Sequence, residues 1–251
     1  MTDLVTPENV STTDHAALML DARGVRKTYR TGAVEVEALV DITLEVGHGE
    51  LVAVMGPSGS GKTTLLNCLS GLDEIDAGEV FVEGIDVQSL PDAQRTEHRA
   101  TAMGFVFQAF NLIPVFSAVE NVELPLLLAG ATAREARERA ADMLGRVGLS
   151  QRLHNKPPEL SGGEQQRTTI ARALVGEPSI VWADEPTGNL DTQTAQAILD
   201  LLWDLNDQGQ TLILVTHDPA IGDASTRVVQ MRDGHIVADE KGTKRRVQAS
   251  R

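Results

Sequence analysis

The chain has 251 residues, 41% of them hydrophobic, enough for one large domain or two small ones around a shared site. Aromatic residues make up 3% and the formal net charge is −14. This argues against a stacking platform for single strands and against attraction to a nucleic-acid backbone, so no nucleic-acid partner is expected. The single cysteine, Cys68, leaves no internal disulfide or multi-cysteine metal site and suits a reducing compartment.

Residues 1–16 are polar and carry Asp3, Glu8 and Asp14 with no basic stretch, which reads as a flexible tail and not a signal peptide. From Leu18 to Val54 the chain is β-rich, with alternation at Val34-Glu35-Val36-Glu37-Ala38-Leu39. Glu50 to Met55 is a nearly all-apolar buried strand that runs directly into Gly56. Thr63 to Gly71 is helical with Gly71 as its C-terminal cap, and Gly78 to Asp86 is a short strand with a turn. The stretch from about 94 to 175 is mostly helical; Ala136, Ala140, Met143, Leu144 and Val147 recur at helical spacing. Its longest uncharged apolar run, Leu124 to Ala133, contains Pro125 and falls far short of the roughly 20 residues that span a bilayer. Ser179 to Ala183 and Thr211 to Thr216 are further apolar strands, separated by a helix over Thr192 to Gln208 that Gly209 ends. Alternating strands and helices predict an α/β fold with a parallel sheet. Lys241 to Arg251 holds five basic residues and no acidic one, a basic C-terminal tail.

Three segments carry chemistry. Gly56-Pro57-Ser58-Gly59-Ser60-Gly61-Lys62-Thr63 fits G-x-x-x-x-G-K-[ST], between a buried strand and a helix. Its glycines let successive amides face one phosphate, the helix start adds positive potential, Lys62 reaches the β- and γ-phosphates, and Thr63 ligates Mg2+. Thr64 is a further candidate phosphate contact.

The strand ending at Ala183 runs into Asp184-Glu185. Alone this could be a solvated turn; beside a phosphate loop, Asp184 is the candidate Mg2+ ligand and Glu185 the group that orients or deprotonates the attacking water.

In Leu160-Ser161-Gly162-Gly163-Glu164-Gln165-Gln166-Arg167, Ser161 is a helix N-cap and Glu164 completes a capping box. This could be only a well-capped helix. It also forms a second anion-binding helix start about a hundred residues after the first. One chain rarely needs two for one nucleotide, whereas two chains arranged head to tail do.

With these motifs, plus Gln108 in FVFQ (105–108), ADEPTGNLD (183–191) and VTHD (215–218), residues 18–239 resemble the ATPase subunits of ABC transporters. The stretches at 104–128 and 157–167 resemble the macrolide-export and lipoprotein-release subfamily in particular. The resemblance implies a P-loop NTPase of ABC type over 17–240: a RecA-like parallel sheet core, an antiparallel β subdomain and a helical signature subdomain at about 94–175. It implies ATP and Mg2+ bound by a homodimer, with Tyr29 stacking on adenine and Gln108 touching Mg2+. Asp191 would couple the two sites, and His217 would contact the γ-phosphate. Read alone, a tyrosine such as Tyr29 is usually just packing, and a histidine after an apolar strand such as His217 is more often a core or surface residue than a catalytic one. The implied partner is an integral membrane permease docking near Gln108–Phe116, with the subunit cytoplasmic on the inner face of the cell membrane. The alternative is a mechanical ABC complex that signals across the membrane without transport. Thr168 and Thr169 depart from the usual Val-Ala, and Trp182 replaces a smaller aliphatic side chain.

Overall fold

Central strands covered on both faces need apolar side chains at every position, and the short runs LVAVM, IVWAD and TLILVT supply them. The structure, a computed structural model, describes residues 18–32 and 34–242. The expected N-terminal tail and residues 243–251 of the basic tail lie outside the described residues.

β1 (Leu20–Thr31) and β2 (Val34–Val46) pair antiparallel, with Tyr29 opposite Val36. β3 (Leu51–Met55) leads through the phosphate loop into α1 (Lys62–Leu69). β4 (Ala77–Val82) and β5 (Ile85–Asp86) complete a four-stranded antiparallel sheet in the order β2-β1-β4-β5. α2 (Asp92–Ala102) precedes β6 (Met103–Phe107), and α3 (Ala118–Leu128), α4 (Ala133–Arg146) and α5 (Gly162–Leu174) follow. β7 (Ile180–Asp184), α6 (Thr192–Asp207), β8 (Thr211–Thr216), α7 (Pro219–Ala224), β9 (Arg227–Arg232) and β10 (His235–Lys241) finish the described chain. The second sheet has the order β10-β9-β3-β8-β7-β6, parallel except for β10 at its edge.

Strand alternation divides the core in two. Val52, Val54, Ile180, Trp182, Ile213 and Val215 join the cluster beneath α1 and the antiparallel sheet. Leu51, Ala53, Val181, Ala183, Leu212 and Leu214 join the helical side. Trp182 is therefore a large filler beneath the phosphate-loop helix; its indole Nε1 is buried with no hydrogen-bond partner.

The stretch at 94–175 is not uniformly helical. β6 interrupts it as an edge strand of the parallel sheet, with Phe107 beside Asp184. Thr168 and Thr169 are buried, and each hydroxyl donates to a carbonyl one turn earlier in α5, on Glu164 and Gln166. That is how this helix tolerates hydroxyls in its core face.

The β9–β10 hairpin turns at Asp233-Gly234, both at positive φ, as a tight two-residue hairpin requires. It reaches back to the phosphate loop: the Gly234 N–H donates to the Ser60 carbonyl at 3.2 Å, and the Val40 N–H donates to the Gly234 carbonyl at 2.9 Å.

Candidate active site

Parallel strands joined by crossovers bring their C-terminal ends to one edge, where open α/β sheets bind ligands. Here the ends of β3, β8, β7 and β6 lie in that order and carry Gly56–Thr64, His217, Asp184-Glu185 and Gln108.

α1 begins at Gly61, in the left-handed region at φ 98°, where a side chain would strike the Ala38 carbonyl. No side chain caps this helix and no acid lies in its first turn. Its first N–H groups therefore suit an external anion. Lys62 is buried, and its Nζ donates to the carbonyls of Gly56 (2.8 Å) and Pro57 (3.0 Å). An ammonium has three donors, so one N–H remains for a phosphate oxygen. Ser60 lies buried beneath the loop, while Ser58 and Gly59 are exposed on it.

The Thr63 hydroxyl donates to Asp184 Oδ1 at 3.3 Å. Burial, then the neighbouring Glu185 charge, push the Asp184 carboxyl above its ordinary range, and the Thr63 bond and Lys62 oppose them. A hydroxyl and a half-buried carboxylate form a hard-oxygen pair that fits Mg2+, which takes one or two protein oxygens with substrate phosphates and water.

Glu185 has a positive φ of 47°, and its N–H donates to the Val215 carbonyl. This strained turn points to a functional position. Its carboxylate is gripped from the end of β8: Oε2 accepts from the Thr216 hydroxyl at 3.4 Å, and Oε1 lies 2.8 Å from His217 Nδ1. His217 itself is 74% exposed, so its ring faces the cleft while holding Glu185.

A cleft of about 850 Å³ contains Lys62, Thr63, Thr64, Glu185 and His217, with Tyr29, Glu37 and Asp233 along its rim. Tyr29 is 40% exposed and its hydroxyl donates to Asp73 Oδ2 at 2.7 Å. Burial and then the Asp73 bond raise the phenol pKa, with Thr64 opposing. Sequence reading missed Asp73 and Lys27, which sits against the same ring, because neither lies in a motif.

The signature segment does not share this cleft: none of Ser161, Gly162, Gly163 and Glu164 lines it. Ser161 is an exposed N-cap in a full capping box with Glu164, whose second oxygen accepts from Arg152 at 2.8 Å. Gly163 is buried where a side chain would strike the Thr194 methyl. Its role within the chain is close packing on α6.

Gln108 also lies outside the cleft lining; its amide packs over Gly188 and its carbonyl accepts from Asn189 at 2.8 Å. Asp191 caps α6, accepting from the Gln193 and Thr194 N–H groups and the Thr194 hydroxyl. Cys68 is buried, its thiol pushed up to about 12 by desolvation, and so is unreactive.

A phosphate loop on a buried strand, with a carboxylate pair on the strand two places away, defines a P-loop nucleoside triphosphatase. The sequence profile of the ABC transporter family matches residues 39–188. The macrolide export ATP-binding/permease protein MacB of Syntrophobacter fumaroxidans is 48% identical over 227 residues, covering 89% of this chain but only 32% of MacB. The lipoprotein-releasing system ATP-binding protein LolD of Legionella pneumophila is 45% identical, covering 89% of this chain and 99% of LolD. Among solved structures, the dimeric post-hydrolysis state of the ATP-binding cassette MJ0796, bound to ADP and Pi, superposes with a TM-score of 0.83. It is 42% identical, and the match covers 89% of this chain and 98% of that one. The chain belongs to the ABC transporter family, as an ATP-hydrolysing ATP-binding subunit. The expected resemblance to the macrolide-export and lipoprotein-release proteins is borne out.

Proposed function

We propose that two copies of this chain close head to tail around two ATP molecules and drive a separate membrane permease. One observation carries this reading: the cleft collects Lys62, Thr63, Glu185 and His217 from one chain but no residue of the signature segment. Ser161 to Glu164 therefore act on the ATP held by the other copy, and the dimer of MJ0796 supports that arrangement.

Backbone N–H groups of the 56–61 loop, Pro57 excepted, cradle the phosphates, and the free N–H of Lys62 donates to β- and γ-phosphate oxygens. Thr63 and Asp184 would hold Mg2+, which would neutralise phosphate charge, and Gln108 would reach the ion by leaving its packing over Gly188. Glu185 takes a proton from the attacking water as its oxygen bonds to the γ-phosphorus and the bond to ADP breaks. His217, with its Nδ1 2.8 Å from the other carboxylate oxygen, positions Glu185 and presents its exposed ring to the γ-phosphate.

LolD, matched over 99% of its length, is by name an ATP-binding protein of a lipoprotein-releasing system, which supports a permease on another chain. Among the described residues no helix is long and apolar enough to cross a membrane; the proposed permease would hold the subunit at the inner face. The permease helix docks where an apolar groove of about 370 Å³ runs between Leu72, Phe105, Phe107, Leu124 and Leu128, next to the 108–116 loop. The expected docking region near Gln108–Phe116 adjoins this groove: Val115 on that loop is 69% exposed, and Asn121 fastens the loop from inside through Ile113 and Phe116. Of the strand before Gln108, Val106 is core and Phe105 lines the groove.

Glu185→Gln tests the reading. ATP should still bind, turnover should fall by roughly 10²- to 10⁴-fold as a general base is lost, and light scattering should detect an ATP-dependent dimer. Near-normal turnover, or a monomer saturated with ATP, overturns it.

A further inference from the structure

We infer that Asp73 is a positioning residue for the nucleotide base, holding Tyr29 as a fixed stacking surface at the rim of the phosphate cleft. The inference rests on the proposed role of Tyr29.

Asp73 lies in the loop that leaves α1. Its N–H and that of Leu72 both donate to the Asn67 carbonyl, at 3.0 and 2.8 Å, so the loop is fastened to the end of the phosphate-loop helix. The two carboxylate oxygens are used separately. Oδ2 accepts from the Tyr29 hydroxyl at 2.7 Å; Oδ1 accepts from Lys27 Nζ at 2.9 Å and from the Glu74 N–H at 2.8 Å. Lys27 Nζ also donates to the Glu74 carbonyl at 2.7 Å and lies 5.1 Å from the Tyr29 ring centroid, within cation–π range. The strand around Lys27 is stitched to the same loop: the Thr28 N–H donates to Asp76 Oδ2 at 2.6 Å, and the Asp76 N–H to the Arg26 carbonyl at 2.8 Å.

The ring is thus held at its hydroxyl, covered by an ammonium, and still 40% exposed where it lines the cleft. A tyrosine already fixed loses little side-chain freedom when a base stacks on it, and this pre-organisation appears as affinity. The anchor also sets register. α1 carries Lys62 at one end and the Asp73 loop at the other, so one helix spaces the phosphate site from the base site. Burial pushes the Asp73 carboxyl up, but the bonds from Lys27 and Tyr29 prevail and hold it below its usual range, so it stays an acceptor at neutral pH.

The test compares ATP with inorganic tripolyphosphate, which has no base, on the full chain by titration calorimetry. Asp73→Ala should weaken ATP binding about two- to tenfold, the cost of immobilising one side chain, and leave tripolyphosphate binding unchanged. KM for ATP should rise with kcat little altered. Tyr29→Phe, which keeps the ring and loses the hydroxyl, should show the same selective loss, and Asp73→Asn, which can still accept from the phenol, should restore part of it. Equal weakening of both ligands would overturn the inference, since that marks damage to the phosphate loop. Unchanged ATP affinity in Asp73→Ala, with Tyr29→Ala weakened, would overturn it while sparing the reading of Tyr29. Unchanged affinity in Tyr29→Ala would remove both.

Discussion

Arg172, in α5, offers a measurable link between the signature helix and the segment after Gln108. Its guanidinium donates to the Asn111 carbonyl at 2.7 Å and the Phe110 carbonyl at 3.1 Å. Among the described residues no carboxylate comes within ion-pairing distance of it, and burial alone lowers its pKa. Arg172→Met keeps the stem and removes the charge. Two hydrogen bonds from a charged donor are worth about 1.5–3 kcal/mol each, or roughly 3–6 together. Two terms offset this. The buried cation no longer has to be desolvated, and the freed carbonyls lie on a loop that water reaches. A net loss of about 2 kcal/mol follows, which for a chain of this size lowers Tm by roughly 4–8 °C. Differential scanning calorimetry of the nucleotide-free protein measures it, with tripolyphosphate binding as the check that the phosphate loop is intact. A Tm within about 1 °C of wild type would refute the reasoning, because the two bonds would then add nothing beyond the desolvation they require.

The permease groove and the composite site make separate predictions. Leu128 is 76% exposed, so Leu128→Asp should fold and bind ATP normally yet abolish stimulation of turnover by the permease. Leu112→Asp should have the weaker effect, and the reverse order would return the socket to the 108–116 loop. Mixing a Lys62→Ala chain with a Ser161→Arg chain should recover hydrolysis that neither has alone, since the mixed dimer keeps one intact site. No recovery in verified mixed dimers would mean that Ser161 acts within its own chain.

The phosphate loop, the two central strands after it and the capped signature helix were legible because each is a local pattern with a local cause. Met55 into Gly56 is a strand ending in a turn, and Ser161 with Glu164 is a cap. What escaped has long-range causes. β6 was legible as a strand before Gln108 within a mostly helical stretch, but its place at the sheet edge was not, because that is set by pairing with Ile180–Asp184 on the next strand. Asp73 matters only because β1 passes beside it, and no spacing encodes that contact. Trp182 could not be read from its neighbours; the space it fills is set by α1. The hairpin at Asp233-Gly234 was within reach, since Asp-Gly between alternating residues is the usual sign of a tight turn. The motifs nearer the site overshadowed it.

That hairpin also has a bearing on how the protein is made. The phosphate loop is complete by residue 64, yet its Ser60 carbonyl is bonded by Gly234, and the Met231 carbonyl lies so close to Gly56 that no side chain fits there. The contacts that finish the nucleotide pocket therefore join residues far apart in the sequence, the kind of closure that forms late in folding. A ribosome releasing this chain from its N-terminus exposes the loop long before the strand that braces it. ATP therefore first meets a properly shaped site only after residue 234 has been made, and a chain cut short before that residue carries an intact motif with no finished pocket.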